Sequence, residues 1–150
     1  MQPIDPEVRE FLARSMIVEV ATCSRRGTPF LTPLWHVEDR GRFYMGTGRA
    51  TPTARNIAAH PGVVLLFYAE GSRYADRVLQ IKGSAQCHWR MPSWRQIVRL
   101  ALKYYVSPGG LRCELSHANK WRLRQRMYAQ GDPAVIEVVP EGAEFMPRVT

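Results

Sequence analysis

The segment from residue 46 to residue 56 carries the residue types that bind a phosphate group. It reads GTGRATPTARN, with Arg49 and Arg55 on either side of Thr51-Pro52. Glycine lets a backbone approach a ligand closely, and a helix N-terminus presents free N–H groups at the positive end of its dipole. Thr51 is a suitable N-cap and Pro52 suits the first helical position. The spacing fits a phosphate site, and it fits equally an ordinary strand-to-helix turn that Thr51 merely caps.

Other catalytic chemistry finds little support in the residues. There is no GxSxG or SxxK motif, no P-loop and no Rossmann GxGxxG, and the four histidines have no evident serine or cysteine partner. Cys23, Cys87 and Cys113 are widely spaced without a CxxC pair, so we expect reduced structural cysteines and no metal site. If the protein is an enzyme, its chemistry belongs to a bound cofactor, and its catalytic residues are unknown.

The positive charge is concentrated in one stretch. Residues 88–130 hold nine cations and one acid, which accounts for the whole net charge of +8, and the rest of the chain is neutral. Such a distribution favours an anionic partner: a phosphorylated cofactor, nucleic acid or an acidic lipid face. A solvated helix face with nothing bound is the alternative.

Length and hydropathy set the scale of the fold. A chain of 150 residues and 17.2 kDa fits one domain, residues 1–150, with a hydrophobic core. No run approaches the roughly 18 to 20 apolar residues that span a bilayer. The N-terminus, MQPIDPEVRE, is acidic where a secretory signal would be basic and then apolar. We therefore expect a cytoplasmic protein without a membrane span.

The elements that must position the phosphate segment follow from periodicity and turn residues. Alternating or β-branched runs predict six strands at residues 17–23, 29–37, 42–47, 63–68, 78–89 and 134–139, the last closed by Pro140. Pro33 marks the second strand as an edge or a bulged strand, and Gly83 suggests a bulge in the fifth. Helices are predicted over the first dozen residues and over residues 51–60, 93–106 and 116–129.

The helix over residues 93–106 has the most regular pattern. Ser93 and Gln96 form a capping box. An apolar stripe at helical spacing, expected to face the core or a dimer partner, contains Trp94, Ile97, Val98, Ala101, Leu102 and Tyr105. Taken together, the elements predict an α+β fold in which an antiparallel six-stranded sheet curls into a small barrel, with a short crossover helix and two peripheral helices.

Three stretches resemble one known family in their order and spacing. They are VATCSRRGTPFLTPLWHV, RFYMGTGRATPTARNIAAHPGVVLLFY and LQIKGSAQCHW, and the similarity covers roughly residues 10 to 90 plus the closing AVIEVVP. The sequence resembles the FMN-binding split-barrel superfamily of pyridoxamine 5'-phosphate oxidase-like proteins, which includes flavin- and deazaflavin-dependent oxidoreductases. The resemblance implies a split β-barrel and FMN or F-420 as cofactor. It also implies a homodimer with two identical cofactor sites at its interface.

The resemblance also implies the site residues. The cofactor ring would contact Thr32, Pro33, Leu34 and Trp35, and the phosphate would contact Thr47, Arg49, Thr51 and Arg55. Members of the family usually place a lysine where this sequence has Thr53, so one phosphate-neutralising charge is missing, and Arg49 is the residue that could replace it.

The first hypothesis is an oxidoreductase that transfers a hydride to or from a small conjugated substrate, with F-420 preferred to FMN. The preference rests on the phosphate and polyglutamate tail of F-420, which suit the basic segment at residues 88–130 and an arginine-rich protein. The second is a binding protein of the same fold without turnover, motivated by Thr53. The third is nucleic-acid binding through the basic segment, where aromatic residues are interleaved with cations. It is disfavoured because Trp94 and Tyr105 lie on the apolar stripe, opposite the cations.

Overall fold

The computed structural model describes residues 5–69, 71–106 and 132–148. Its helices are α1 (Pro6–Arg14), α2 (Pro52–Ala59) and α3 (Trp94–Ala101), which continues into a π-helical turn (Leu102–Val106). Its strands are β1 (Val18–Cys23), β2 (Pro29–Leu34), β3 (His36–Asp39), β4 (Arg42–Gly48), β5 (Gly62–Tyr68), β6 (Arg77–His88) and β7 (Pro133–Pro147). The predicted helix over residues 116–129, Cys113 and most of the basic segment lie outside the described residues.

A single antiparallel sheet with the order β2-β1-β5-β6-β7-β4-β3 forms the body of the protein. Its two edge strands, β2 and β3, are consecutive in the chain and are separated by Trp35 alone. The chain therefore bends at Trp35 and pairs with one end of the sheet before the bend and with the other end after it, which curls the sheet toward a barrel. This confirms the predicted α+β class and the edge position of Pro33. It corrects the strand count from six to seven.

The core lies on one face of this curled sheet. In β1, β4 and β5 buried residues alternate with half-buried ones, as a strand with one inward face requires. The inward side chains include Val18, Val20, Phe43, Leu65 and Phe67. Helix α1 closes one end of the core through Phe11 and Leu12, as the i, i+3, i+4 pattern predicts.

One β-bulge joins the two longest strands. The register between β6 and β7 shifts between Lys82 and Gly83, where Gly83 pairs with Pro140 and Lys82 pairs with Gly142. The bulge at Gly83 is thus confirmed, whereas the prediction that Pro140 ends the last strand is wrong. Proline donates no ladder hydrogen bond, and the bulge accommodates it without ending the strand, so β7 continues to Pro147.

Helix α3 has the predicted capping box of Ser93 and Gln96, and its apolar stripe, expected to face the core or a dimer partner, does not face the core of its own chain. The buried residues are Gln96 and Tyr104, and the apolar stripe faces outward, with Trp94 73% and Leu102 56% exposed. The polar face lies against β3, where Asp39 forms ion pairs with both Arg95 and Arg99. Of the two predicted partners of the stripe, the core of its own chain is excluded, and a dimer partner stays a prediction.

Within the described residues, no helix is long and apolar enough to cross a membrane. Cys23 and Cys87 are both half-buried and unpaired. No group of three or more potential metal ligands occurs in these same ranges.

Candidate functional site

The N-terminus of α2 is built from threonine hydroxyls that are bonded to one another. Thr51 caps the helix by accepting a hydrogen bond from the amide of Ala54 at 3.2 Å, and its hydroxyl donates to the carbonyl of Gly48 at 2.8 Å. The hydroxyl of Thr47 lies 3.0 Å from that of Thr51. Since Thr51 has already used its one hydrogen, Thr47 must be the donor in this pair. Neither hydroxyl retains a free hydrogen for a phosphate.

Thr53, at the position where the resemblance implies a lysine, is 2% exposed. Its hydroxyl lies 2.9 Å from that of Thr32 on β2, so it joins α2 to the edge strand. One turn later Asn56 donates to the hydroxyl of Thr22 on β1 at 3.0 Å. These two bonds fix the helix across β1 and β2, and the amide of Thr53 is the one first-turn N–H of α2 without an acceptor in the described ranges.

The two arginines expected at the phosphate separate in the structure. Arg49 stays at the N-terminal end of α2, where its guanidinium lies over the ring of Trp89, 5.2 Å from the centroid. It is well exposed, and its 3.9 Å approach to Asp132 is a weak ion pair. Arg55 instead lines a groove of about 900 Å³ together with Arg25 and Arg26 from the β1–β2 turn.

The strand expected to line the cofactor ring has an exposed outer face. Leu31 and Pro33 point outward, with Leu31 54% exposed, whereas Leu34 is half-buried and packs against the core. Thr32 is half-buried and bonded to Thr53 as described above. Of the residues expected to contact the ring, Pro33 is therefore accessible, whereas the side chains of Thr32 and Leu34 are turned toward the protein.

Trp35 is held at the corner by the π-helical turn. Its ring stacks on that of Tyr104, with centroids 4.5 Å apart and an interplanar angle of 14°. Tyr105, which is exposed, meets Trp35 edge-on at 6.3 Å. A fixed aromatic surface therefore continues from the end of β2 onto the exposed side of α3.

A buried polar cluster lies beneath this corner. The hydroxyl of Tyr104 accepts from the amide of His36 at 3.0 Å and donates to the carbonyl of Met16. The imidazole Nε2 of His36 lies 3.0 Å from the carbonyl of Ser15 and 2.9 Å from Nζ of Lys103. Burial and the neighbouring Lys103 hold the pKa of His36 well below its usual value, so the ring is neutral. Burial likewise lowers the pKa of Lys103 to about 7.

Two features of this region escape sequence reasoning. Arg25 and Arg26 lie in a turn within the part of the chain whose net charge is zero, so the charge distribution does not point to them. The one sequence feature that marks them is that two arginines are adjacent. The pair of His36 and Lys103 joins residues that are far apart in the chain, and no spacing pattern connects them.

The comparisons with known proteins bear on this site. The sequence profile of the pyridoxamine 5'-phosphate oxidase family matches residues 4–146. The chain belongs to this family. No curated protein matches the chain.

Solved structures show the same fold at low sequence identity. An F420 reductase is 19% identical with a TM-score of 0.62, and the alignment covers 91% of this chain and 94% of that one. HutZ, the heme storage protein from Vibrio cholerae, is 14% identical with a TM-score of 0.61, covering 97% and 95%. A conserved hypothetical protein from Mycobacterium tuberculosis is 19% identical with a TM-score of 0.67, covering 100% and 92%. The predicted split-barrel fold is confirmed.

Proposed function

We propose that this family member binds a deazaflavin or flavin and works as an oxidoreductase on a small conjugated substrate. One observation carries the proposal: the exposed outer face of β2, with Leu31 and Pro33, lies beside the capped N-terminus of α2. A flat apolar ring and an anionic group are the two parts that such a surface accommodates.

The residues fit both parts of the cofactor, though not in equal measure. Thr32, Pro33, Leu34 and Trp35 would hold the ring through the exposed backbone edge of β2 and the aromatic corner. At the N-terminus of α2 the charge would come from Arg49, because Thr53 replaces the usual lysine. The hydroxyls of Thr47 and Thr51 would have to exchange their present hydrogen bonds for bonds donated to the phosphate.

The bound cofactor would supply the hydride acceptor or donor, and the protein's part is to orient and shield it. Proline has no amide hydrogen, so β2 has no backbone hydrogen-bond donor at Pro33 for water or a ligand. His36 is 1% exposed and turned into the core, so its imidazole does not reach the outer face. We assign no protein acid or base to the reaction.

F-420 is the preferred cofactor. Its phosphate and polyglutamate tail require several cations, and the described part of the chain offers arginines near α2 without an acidic partner. The likeness to an F420 reductase supports the same choice at the level of fold.

A homodimer is the proposed assembly. Strand β2 and the apolar stripe of α3 leave large side chains in solvent: Phe30, Leu31, Trp94, Ile97, Val98, Leu102 and Tyr105. Apolar surface of this extent on one protein marks an interaction site. A second copy would cover it and enclose the cofactor between two chains.

The test is a titration of the purified protein with F-420 and with FMN, followed by absorbance and fluorescence, and then repeated with Arg49→Gln. We expect F-420 to bind more tightly than FMN and Arg49→Gln to weaken both about tenfold, since one charge-assisted contact is lost. Arg9→Gln on the exposed face of α1 is the matched control and should change nothing. Failure of both cofactors to bind would overturn the proposal.

The second candidate is a binding protein without turnover. The uncharged Thr53 and the likeness to a heme storage protein favour it. Tight cofactor binding without reduction of any conjugated acceptor, or binding of heme instead, would support this candidate. Nucleic-acid binding has lost support in the described part of the basic segment, because Asp39 already engages Arg95 and Arg99.

A further inference from the structure

Three arginines around one groove are left without a counterion. Arg25, Arg26 and Arg55 are exposed, and none of them has a hydrogen-bonded or ion-paired acid among residues 5–69, 71–106 and 132–148. The groove they line has a volume of about 900 Å³, and its wall is completed by Asn56, Ala58 and Ala59 of α2. This volume lies within the range of small-molecule sites, about 300–1,000 Å³.

A second cavity in the same protein also contains arginines, but there they are paired with acids. It measures about 530 Å³ and also contains two arginines, Arg73 and Arg77. There Glu10 pairs with Arg73 and Glu7 pairs with Arg77, so the local charge is balanced. Like charges gathered without such balance repel one another and raise the local concentration of anions.

The backbone presents the groove arginines in a fixed arrangement. The turn that carries Arg25 and Arg26 is closed by bonds from Ser24 N to Thr28 O at 2.8 Å and from Gly27 N to Ser24 O at 2.9 Å. Gly27 adopts a φ of 81°, which suits glycine. The bond from Asn56 to Thr22 ties α2 to the end of β1, which brings the neighbouring Arg55 to the groove that Arg25 and Arg26 line.

We propose that this groove binds an oligoanion, a short chain of carboxylates or phosphates. Each guanidinium can hold one such group through two parallel hydrogen bonds, so three of them suit a ligand with several anionic groups better than a single phosphate. The groove lies between the C-terminal half of α2 and the turn between β1 and β2. The proposed function supplies one source of the ligand, the polyglutamate tail of F-420. A free oligoanionic metabolite is the other.

The experiment compares Arg26→Gln/Arg55→Gln with the control Arg9→Gln/Arg40→Asn. Each pair lowers the net charge of +8 by two, and Arg9 and Arg40 are exposed positions away from the groove. Dissociation constants are measured by calorimetry, at low and high salt, for F-420 with its tail, for the same deazaflavin phosphate without its tail, and for an oligoglutamate peptide.

If the tail is the ligand, F-420 should bind about tenfold more tightly than the tail-free compound. Only the groove variant should abolish this difference. Equal affinity with and without the tail, unchanged in the groove variant, would overturn the inference about the tail and leave the proposed function standing.

The peptide separates the other outcomes. If neither deazaflavin binds, the choice of F-420 as the cofactor fails, and the FMN titration described above decides the proposed function. Oligoglutamate binding that is lost only in the groove variant would then support a site for a free oligoanion. Absence of oligoglutamate binding in the wild type as well would overturn the inference together with the choice of F-420.

Discussion

Nζ of Lys103 lies 2.9 Å from Nε2 of His36 in the interior beneath the Trp35 corner. The same Nε2 lies 3.0 Å from the carbonyl oxygen of Ser15 and must carry the hydrogen for that bond. An ammonium cannot donate to an N–H, so the geometry suits a neutral amine at Lys103, whose remaining hydrogens include one for the carbonyl of Leu12 at 3.2 Å. The pKa of about 7 for Lys103 agrees with this assignment near neutral pH.

This pair predicts a pH dependence of stability. The folded-state pKa of Lys103 is about 7 and its ordinary value is 10.5. Between these values the unfolded chain binds a proton that the folded chain does not, so the free energy of unfolding should rise with pH across this window. Below about pH 7 the lysine is charged in both states and the full cost of burying the charge remains. Lys103→Met should flatten the rise, measured by urea denaturation at a series of pH values.

Lys82→Met is the matched control for this measurement, since Lys82 is exposed on β6. It should retain the wild-type slope. An identical slope in the wild type and in Lys103→Met would contradict the assignment of a lowered pKa to Lys103.

Tyr104→Phe should destabilise the fold through lost hydrogen bonds rather than lost volume. The hydroxyl serves the buried amide of His36 and the carbonyl of Met16, and the side chain is 0% exposed. Leaving such groups unpaired costs about 1–3 kcal/mol. Tyr68→Phe, which removes one bond to Glu19 near solvent, should cost less. Equal decreases in the free energy of unfolding of the two variants, measured by denaturant unfolding, would show that the buried hydrogen bonds contribute no more to stability than the exposed one.

Gly83→Ala should destabilise the bulge between β6 and β7. A Cβ atom at this position would lie 2.5 Å from the carbonyl oxygen of Val139, which is backbone and cannot turn aside. Overpacking of this kind costs about 1–3 kcal/mol. Gly62→Ala on β5 is the control, because nothing lies within 4 Å of a Cβ there. A melting temperature for Gly83→Ala equal to that of the control would refute the close approach.

Ile97→Glu should weaken the proposed dimer while leaving the fold intact. The side chain is 48% exposed on the apolar stripe, so a charge there costs little in the monomer and disrupts contact with a second copy. Sedimentation velocity should show a shift toward monomer at a given concentration. Ala13→Glu on the exposed side of α1 should sediment like the wild type. A stripe that plays no part in association would leave both variants unchanged.

Thr53→Lys should restore the charge that the family usually places before Ala54. If the N-terminus of α2 holds the cofactor phosphate, FMN and F-420 should both bind about tenfold more tightly. The substitution also removes the bond to Thr32 and introduces a cation at a site 2% exposed, so a lower melting temperature is expected. A folded variant whose dissociation constants equal those of the wild type would place the phosphate elsewhere.

Much of the fold follows from local sequence alone. Thr51 and Pro52 define the start of α2, Ser93 and Gln96 cap α3, and alternating apolar residues define the strands. These features depend on residues within a few positions of one another, so spacing is sufficient to predict them. Pro140 is a position where the local sequence misleads: proline predicts the end of the strand, but a bulge formed with β6 lets β7 continue past it.

Long-range partners decided the rest. The sequence predicts the amphipathic character of α3, but contacts with distant residues accompany the face that turns inward: Asp39 on β3 pairs with Arg95 and Arg99, and the apolar stripe is left outside. The sequence places Arg55 beside Thr51, whereas the packing of α2 on β1 brings it to Arg25 and Arg26. Likewise, the neutral pair of His36 and Lys103 exists only because a bend at Trp35 and the π-helical turn meet. Charge and hydrogen-bond partners act through space, and only the tertiary structure specifies which of them are neighbours.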